Sequence, residues 1–296
     1  MTGRLRIAVC TNRGPAEAAE SLAALAAQTP AEDLALVLSG LPGGQVESHR
    51  AAFGGELLVE PRQGLSLARN RALAWCDEAD VLAFVDDDAV ACPGWREALE
   101  RAWGEAGPDL ACIGGPIRPR WPQGGPPAWV SPPILPALTL LDLGAEPREL
   151  DPAVTTVFGA NISFRVSALR RIGGFDPAFG HSGARVFFSE EDEAQRALAR
   201  LGYRVRYAPD AVVEHVIPAE RLTRGSFIRR RFAYGATLGL RRARPLRLAA
   251  RQTVSSAAGT LAAAVSGDDA LLMERAVRAA ENAGVLYGST RPRRIA

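Results

Sequence analysis

The chain has 296 residues, a length that suits one large α/β domain or two smaller ones. A hydrophobic content of 47% is sufficient for a full core, and a net charge of only +2 argues against nucleic acid as a partner. The four cysteines show no C-x-x-C spacing, which argues against a structural zinc site.

The composition favours a cytoplasmic protein without a transmembrane span. The sequence shows no signal peptide, and no apolar run reaches the ~18 residues that a membrane span requires. Free thiols fit a reducing compartment. The basic residues are all arginine and many follow residue 195, so peripheral contact with a membrane stays open.

Strand and helix patterns alternate through the first 115 residues. This alternation predicts an α/β fold with a mostly parallel, doubly wound sheet flanked by helices. The predicted strands are 5–10, 34–38, 56–60, 81–85 and 110–113, and the predicted helices are 16–27, 65–76 and 95–103.

Three adjacent carboxylates, Asp86, Asp87 and Asp88, follow the apolar strand 81–85. In open α/β sheets the C-terminal ends of the strands form the ligand edge, and three acids there need a cation or a ligand that brings one. The alternative is an acidic turn in which Asp88 caps a helix that begins near Pro93.

The segment 114–152 is rich in proline and cannot form regular helix or central strand. A loop of this length in a compact protein is more often a lid or binding loop than a passive excursion, although both interpretations stay open. Trp121 and Trp129 lie within it and could stack on a sugar or another flat ligand.

A second acidic cluster, Glu190 to Glu193, opens a predicted amphipathic helix over 190–201 that ends at Gly202. Carboxylates in a first helical turn also serve as caps, so a purely structural role is the alternative. Its functional interpretation is a base that deprotonates an acceptor hydroxyl. His215 follows a predicted strand over 211–213 and could be structural or a ligand that suits manganese better than magnesium.

The rest of the chain is predicted to contain an extended segment over 155–164, a short helix over 166–172 and a strand over 204–207. Residues 222–285 are predicted to be helical with breaks near Pro245 and Gly267.

Arginines suited to phosphate oxygens occur at Arg13, after the first strand, at Arg69 and at 229–231. There is no Walker A sequence and no G-x-G-x-x-G after the first strand. A P-loop nucleotidase and a dinucleotide dehydrogenase are therefore disfavoured.

Taken in order, several segments resemble family two glycosyltransferases of the GT-A fold, which transfer a sugar from a nucleotide diphosphate donor. The resemblance covers roughly residues 4 to 240. The matching segments are Val9-Cys-Thr-Asn-Arg13, Gly64-Leu-Ser-Leu-Ala-Arg-Asn70, Phe84-Val-Asp-Asp-Asp88, Phe158-Gly-Ala-Asn-Ile-Ser-Phe164, Gly173-Gly-Phe-Asp176, Glu190-Glu-Asp192 and 202–215.

The resemblance implies a role for each group of residues. A divalent metal, Mn²⁺ or Mg²⁺, would be bound by Asp88 with Asp86 and His215. Asp192 would be the general base and Glu191 would orient the acceptor. The implied donor contacts are Cys10, Thr11, Asn12, Arg13, Arg69, Asp86, Asp87 and Arg230. Apart from the resemblance, Trp121 and Trp129 are predicted to contact the acceptor through their ring faces, and Asn161 is predicted to contact it as well.

One departure from the family concerns the nucleoside. The segment 36–40 lacks the aspartate that relatives usually carry after the second strand. The first loop is also shorter than usual. A UDP-sugar is favoured, although the residue that reads the nucleoside in relatives is absent here.

The combined prediction is an inverting, metal-assisted sugar transfer to a hydroxyl-bearing small molecule, lipid or glycan. Residues 1–115 would bind the donor, 116–220 would bind the acceptor and supply the base, and 221–296 would form a C-terminal helical extension. The alternatives are a sugar-phosphate nucleotidyltransferase and a catalytically silent relative that binds a nucleotide sugar.

Overall fold

The computed structural model describes residues 3–179, 189–241 and 246–291, and these fall into two compact units. The first contains the described parts of 1–118, 141–183 and 190–215, and the second contains those of 119–140, 184–189 and 216–296. The boundaries predicted at residues 115 and 220 stay a prediction.

Eight strands form the main sheet, in the order β3-β2-β1-β4-β9-β6-β10-β8. Its centre is built from apolar runs, since every residue of β2 and β6 is buried. The strands are β1 (Leu5–Thr11), β2 (Leu34–Ser39), β3 (Glu56–Glu60), β4 (Val81–Asp86), β6 (Leu110–Gly114), β8 (Arg148–Leu150), β9 (Asn161–Arg165) and β10 (Arg204–Tyr207).

Parallel pairing joins β1 with β2 and β4, β2 with β3, and β6 with β10, whereas β9 runs antiparallel to both β4 and β6. The register pairs Cys10 with Asp86, so β1 and β4 end at one edge of the sheet. This confirms the mostly parallel sheet and brings the loop after β1 beside the aspartates.

A smaller sheet has the order β5-β11-β7, from Ala89–Ala91, Val213–Val216 and Ile117–Arg120. This sheet was not predicted from the sequence. A strand was predicted at residues 211–213 and none at β5, because segments of three or four residues show little periodicity. The antiparallel register pairs His215 with Ala89, next to the acidic turn.

Six helices accompany these sheets in the described part of the chain. They are α1 (Pro15–Ala26), α2 (Gly43–Ala52), α3 (Leu65–Trp75), α4 (Trp95–Gly104), α5 (Val166–Arg171) and α6 (Glu190–Arg200). All but α2 were predicted within a residue or two. Helix α2 begins with Gly43 and Gly44 and is largely polar, so its sequence resembles a loop.

One local prediction is confirmed only in part. The segment predicted to be extended over 155–164 is a strand from Asn161, and a turn at residues 159–160 precedes it. The alternative in which Asp88 caps a helix is wrong, because the N-cap residue of α4 is Gly94 in a left-handed conformation with φ 82°. The positive φ of Gly202, 85°, agrees with the predicted end of α6.

The second unit contains α7 (Arg224–Leu240), α8 (Leu246–Ser266) and α9 (Asp269–Ser289). A break at Gly267, φ 72°, confirms the predicted interruption, while Pro245 lies outside the described residues. The proline-rich segment contributes a 3-10 turn at Pro132–Leu138 and no α-helix in its described residues. Within the described ranges, no helix is long and apolar enough to cross a bilayer.

Candidate active site

The first acidic cluster comprises the last residue of β4, Asp86, and the turn residues Asp87 and Asp88. Thr11 donates its hydroxyl proton to Asp87, with an Oγ1–Oδ2 distance of 2.6 Å. The Nη2 atom of Arg13 lies 3.5 Å from a carboxylate oxygen of Asp87 and 3.5 Å from one of Asp88. The structure therefore brings the predicted residues of the first loop to the predicted acidic turn.

Asp88 and His215 place two metal-donor atoms side by side, with Nε2 of His215 lying 3.3 Å from Oδ1 of Asp88. In the part of the chain that the structure describes, no three His, Cys, Asp or Glu side chains are arranged to hold a metal ion. Divalent ions on nucleotides commonly take one or two protein ligands and complete their shell with phosphate oxygens and water. The donor set fits an ion of that kind.

The second acidic cluster meets the first at Arg69. This arginine of α3 is only 2% exposed. Its Nη1 donates a hydrogen bond to Oε1 of Glu190 at 2.7 Å and lies 3.7 Å from Oε2 of Glu191, and its Nη2 lies 3.7 Å from Oδ1 of Asp86. One guanidinium thus contacts both acidic clusters.

The crowding of these carboxylates changes their proton affinity. Desolvation raises the pKa of Asp86 to about 6, with Arg69 opposing the rise and the neighbouring aspartates adding to it. Burial likewise raises the pKa of Glu190 to about 7, against the effect of Arg69 and with that of Glu191. Burial lowers the pKa of Arg69, but Glu190, Glu191 and Asp86 outweigh it and raise that pKa.

Asp192 lies in the first turn of α6 and is 2% exposed. Thr156 donates its hydroxyl proton to Oδ1 of Asp192 at 2.5 Å, and Nη1 of Arg196 lies 3.8 Å from Oδ2. One residue before it, Glu191 accepts the backbone N–H of Gly159 at 3.3 Å. The segment 156–159, which precedes β9, therefore holds both carboxylates that were predicted to act on the acceptor.

Three other predicted residues of the first unit lie in different environments. Asn12 is exposed in the loop after β1. Cys10 lies in β1, where desolvation raises the pKa of its thiol to about 12, so the thiol is protonated at neutral pH. The amide of Asn161 is buried: it accepts a hydrogen bond from Trp95 and donates to the carbonyls of Pro116 and Ala211. An acceptor contact by Asn161 stays a prediction.

Trp121, Trp129 and Arg230 belong to the second unit. The ring of Trp129 packs edge-on against Phe227 with centroids 5.1 Å apart, and Nε of Arg230 donates to the carbonyl oxygen of Ala137 at 2.7 Å. Their predicted contacts with donor or acceptor stay predictions.

Two contacts in the site were not predicted from the sequence: that of Glu190 with Arg69 and that of Thr156 with Asp192. Glu190 was noticed only as a member of the acidic run, and its burial against Arg69 has no local signature. Thr156 precedes the motif at 158–164 by two residues, and no pattern connects it with Asp192, which lies 36 residues further along the chain.

The sequence model described as glycosyl transferase family 2 matches residues 7–173, more than half of the chain. The chain belongs to glycosyl transferase family 2. A second model, described as glycosyl transferase family group 2, matches residues 149–274. The first match contains the aspartates of the β4 turn, and the second contains Asp192 and His215. Similarity to the family therefore extends past residue 240, beyond the range predicted from the motifs.

Two relatives of known name share part of this sequence. The chain is 31% identical to the glucosyl-dolichyl phosphate glucuronosyltransferase of Haloferax volcanii over 160 residues, which are 53% of this chain and 49% of that protein. It is 28% identical to the succinoglycan biosynthesis protein ExoM of Rhizobium meliloti over 259 residues, which are 80% of this chain and 75% of that protein. The chain thus matches about half the length of the first relative.

Solved structures confirm the predicted GT-A type of fold. GalNAc-T7 with UDP, GalNAc and Mn²⁺ has a TM-score of 0.55 at 14% identity and aligns over 82% of this chain and 52% of that one. Residues 1–349 of S. aureus TarS give a TM-score of 0.52 at 14% identity, over 91% of this chain and 89% of that one. At this identity the similarity extends to the fold alone.

Proposed function

We propose that the protein transfers a sugar from a nucleotide diphosphate sugar to a hydroxyl-bearing acceptor, with inversion at the anomeric carbon. The observation that carries the proposal is the contact of Arg69 with both Asp86 and the Glu190–Glu191 pair. Direct displacement requires the leaving diphosphate and the base to lie on either side of one carbon atom. Two acidic clusters that share one guanidinium lie close enough to serve one such site.

The donor is a UDP-sugar bound at the ends of β1 and β4. Thr11 and Arg13 are already fixed against the aspartates, and the guanidinium of Arg13 can contact phosphate oxygens. Crystallisation of GalNAc-T7, a protein of the same fold, with UDP and Mn²⁺ supports this choice. A divalent ion held by Asp88 and His215 would neutralise charge on the diphosphate when bound, and a contact of Asp86 with that ion stays a prediction.

Asp192 accepts the proton of the attacking hydroxyl as the new bond forms. Thr156 orients its carboxylate through Oδ1, and Glu191 contacts the acceptor beside it. The charge that accumulates on the departing diphosphate is stabilised by fixed cationic groups, among them the guanidinium of Arg13.

The acceptor is a sugar hydroxyl on a glycan or a lipid-linked sugar. This choice rests on the names of the two relatives, one a transferase for glucosyl-dolichyl phosphate and the other a protein of succinoglycan biosynthesis.

A thermal-shift screen of nucleotide sugars with Mn²⁺ tests the donor without requiring the acceptor. A donor at one hundred times its Kd stabilises a protein by about 2.7 kcal/mol, which raises Tm by roughly 5–10 °C. We expect a UDP-sugar to give this shift and a subsequent transfer assay to release UDP. Release of pyrophosphate from UTP and a sugar 1-phosphate, in a separate assay, would identify a nucleotidyltransferase instead, and no shift with any nucleotide sugar would contradict the proposal.

A further inference from the structure

The guanidinium of Arg69 is fixed by packing as well as by charge. Its CZ atom lies 5.3 Å from the ring centroid of Phe84 and 5.6 Å from that of Phe175. Backbone closes another side, because a Cβ atom on Gly159 would lie only 2.2 Å from Nη2. The side chain therefore has little freedom to move towards a ligand, although it lies beside residues predicted to bind one.

The partner that pairs most closely with Arg69 is Glu190. Both side chains are almost fully buried, at 2% and 1% exposed, and their Nη1–Oε1 distance is 2.7 Å. They are 121 residues apart in the sequence. Loss of one member leaves a buried charge without its partner, which is strongly unfavourable, so each restricts the other to this place.

Glu190 is also the first residue of α6, and it is followed directly by Glu191 and Asp192. Successive helical residues point about 100° apart, so fixing the first one sets the directions of the next two. The three carboxylates have three different partners: Arg69 for Glu190, the Gly159 N–H for Glu191 and the Thr156 hydroxyl for Asp192. The start of α6 is thus held at three successive residues.

We propose that Arg69 and Glu190 are a positioning pair that fixes the first turn of α6, so that Asp192 and Glu191 meet the acceptor at the correct distance from the β4 aspartates. The inference rests on the proposed function, but it assigns to Arg69 a role other than the predicted donor contact. Neither residue touches substrate. Their effect is on the placement of Asp192, which determines turnover rather than donor binding.

The test compares Glu190→Gln, Arg69→Gln and the double variant with the wild type. The glutamine side chain in Glu190→Gln would keep the shape and one hydrogen-bond acceptor while it removes the charge. Asp33→Asn is the matched control, because Asp33 is a buried carboxylate, 2.7 Å from Arg4 and 3.3 Å from Arg96, and neither arginine is a candidate site residue. Kinetics give kcat and KM, calorimetry gives donor Kd, and hydrogen exchange reports on the segment 155–162.

We expect Glu190→Gln to lower kcat by roughly 10- to 100-fold, since small displacements of catalytic groups have effects of that size. The donor Kd should change by less than about threefold, because Thr11, Arg13 and the β4 aspartates are unchanged. The double variant should be no slower than the slower single variant, since the two residues act as one unit. Exchange at the Gly159 amide should become faster, and Asp33→Asn should alter none of these quantities.

Three results would overturn the positioning role: a kcat of Glu190→Gln within threefold of the wild type, an equal loss of kcat in Asp33→Asn, or a loss of donor affinity as large as that of kcat. If the wild type transfers no sugar at all, the proposed function fails. Hydrogen exchange then tests separately whether Arg69 and Glu190 fix the start of α6. Unchanged exchange over 155–162 in Glu190→Gln would then overturn that role.

Discussion

At the scale of single residues, the carboxyl group of Glu190 is buried beside both an arginine and another carboxylate. Its pKa is about 7 in the folded protein against an ordinary value of 4.5, because burial outweighs the attraction of Arg69. A raised carboxyl pKa means that the folded state binds more protons than the unfolded state between these values. Its contribution to stability is therefore full below about pH 4.5 and is lost as the pH rises through about 7.

This sign leads to a pH-dependent prediction for Glu190→Gln. The variant has no carboxyl group to ionise at this position, so its stability relative to the wild type should be more favourable at pH 8 than at pH 5. Denaturant unfolding at the two pH values measures the difference, with Asp33→Asn as a comparison. A relative stability that is less favourable at pH 8 would show that the pKa of Glu190 is lowered rather than raised.

Stability and turnover of Glu190→Gln, measured together, distinguish a role of the charge in folding from a role in positioning. Buried ion pairs contribute little to stability, and hydrophobic replacements are often neutral or stabilising. If Glu190→Gln is relatively more stable at pH 8 but slower in turnover, the charge is retained for positioning and not for folding. The variant thus distinguishes the two roles of one side chain.

At the scale of elements, the strands of the ligand edge could be predicted because β2 and β4 contain continuous apolar runs and β1 has one after Arg6. The same pattern indicated that Asp86 stands at the end of a strand. The contacts of Arg69 could not be predicted, because an arginine in a helix gives no local sign that it will be buried. Its position depends on Phe84, Phe175 and Gly159, which come from three distant parts of the sequence.

The helix pair α7 and α9 shows a second feature that periodicity did not predict, which is contact through glycines. A Cβ atom on Gly284 of α9 would lie 2.0 Å from the carbonyl oxygen of Phe232 in α7, and one on Gly235 would lie 1.9 Å from that of Glu281. The helices were predicted from composition, but their close approach depends on which glycines face each other. Small residues at such contacts allow two backbones to approach closely.

Replacement of Gly284 by alanine should therefore destabilise the second unit. Overpacking of this kind costs about 1–3 kcal/mol, more than alanine gains over glycine in a helix. Gly225→Ala in α7 is the control, since its Cβ atom would meet only the flexible end of Arg229, 3.3 Å away. Thermal unfolding of both variants gives the comparison. Equal Tm values would refute the close contact.

At the scale of the whole molecule, the candidate site gathers carboxylates from two parts of the chain. The two clusters supply seven, from Asp86 to Asp88 and from Glu190 to Glu193. Guanidinium groups that contact them include those of Arg13, Arg69 and Arg196. A diphosphate adds negative charge beside these carboxylates, so donor binding should require a cation.

Chelation tests that requirement directly. Addition of EDTA should abolish the stabilisation by a UDP-sugar that is seen with Mn²⁺, and excess Mn²⁺ should restore it. The Tm of the protein without donor, measured with Mn²⁺ and with EDTA, is the control, because it gives the effect of the ion alone. A donor that binds equally well with EDTA would exclude the proposed metal role of Asp88 and His215.

The central claim is that the two acidic clusters form one site with separate tasks, and a comparison of Asp88→Ala with Asp192→Asn tests it most directly. Donor Kd with Mn²⁺ and the rate of sugar transfer are measured for both variants. Asp192→Asn should keep the donor Kd within about threefold and lose transfer by about 10²–10⁴-fold, as expected for loss of a general base. Asp88→Ala should lose metal-dependent donor binding itself. Near-normal turnover in Asp192→Asn, or unchanged donor binding in Asp88→Ala, would contradict the account.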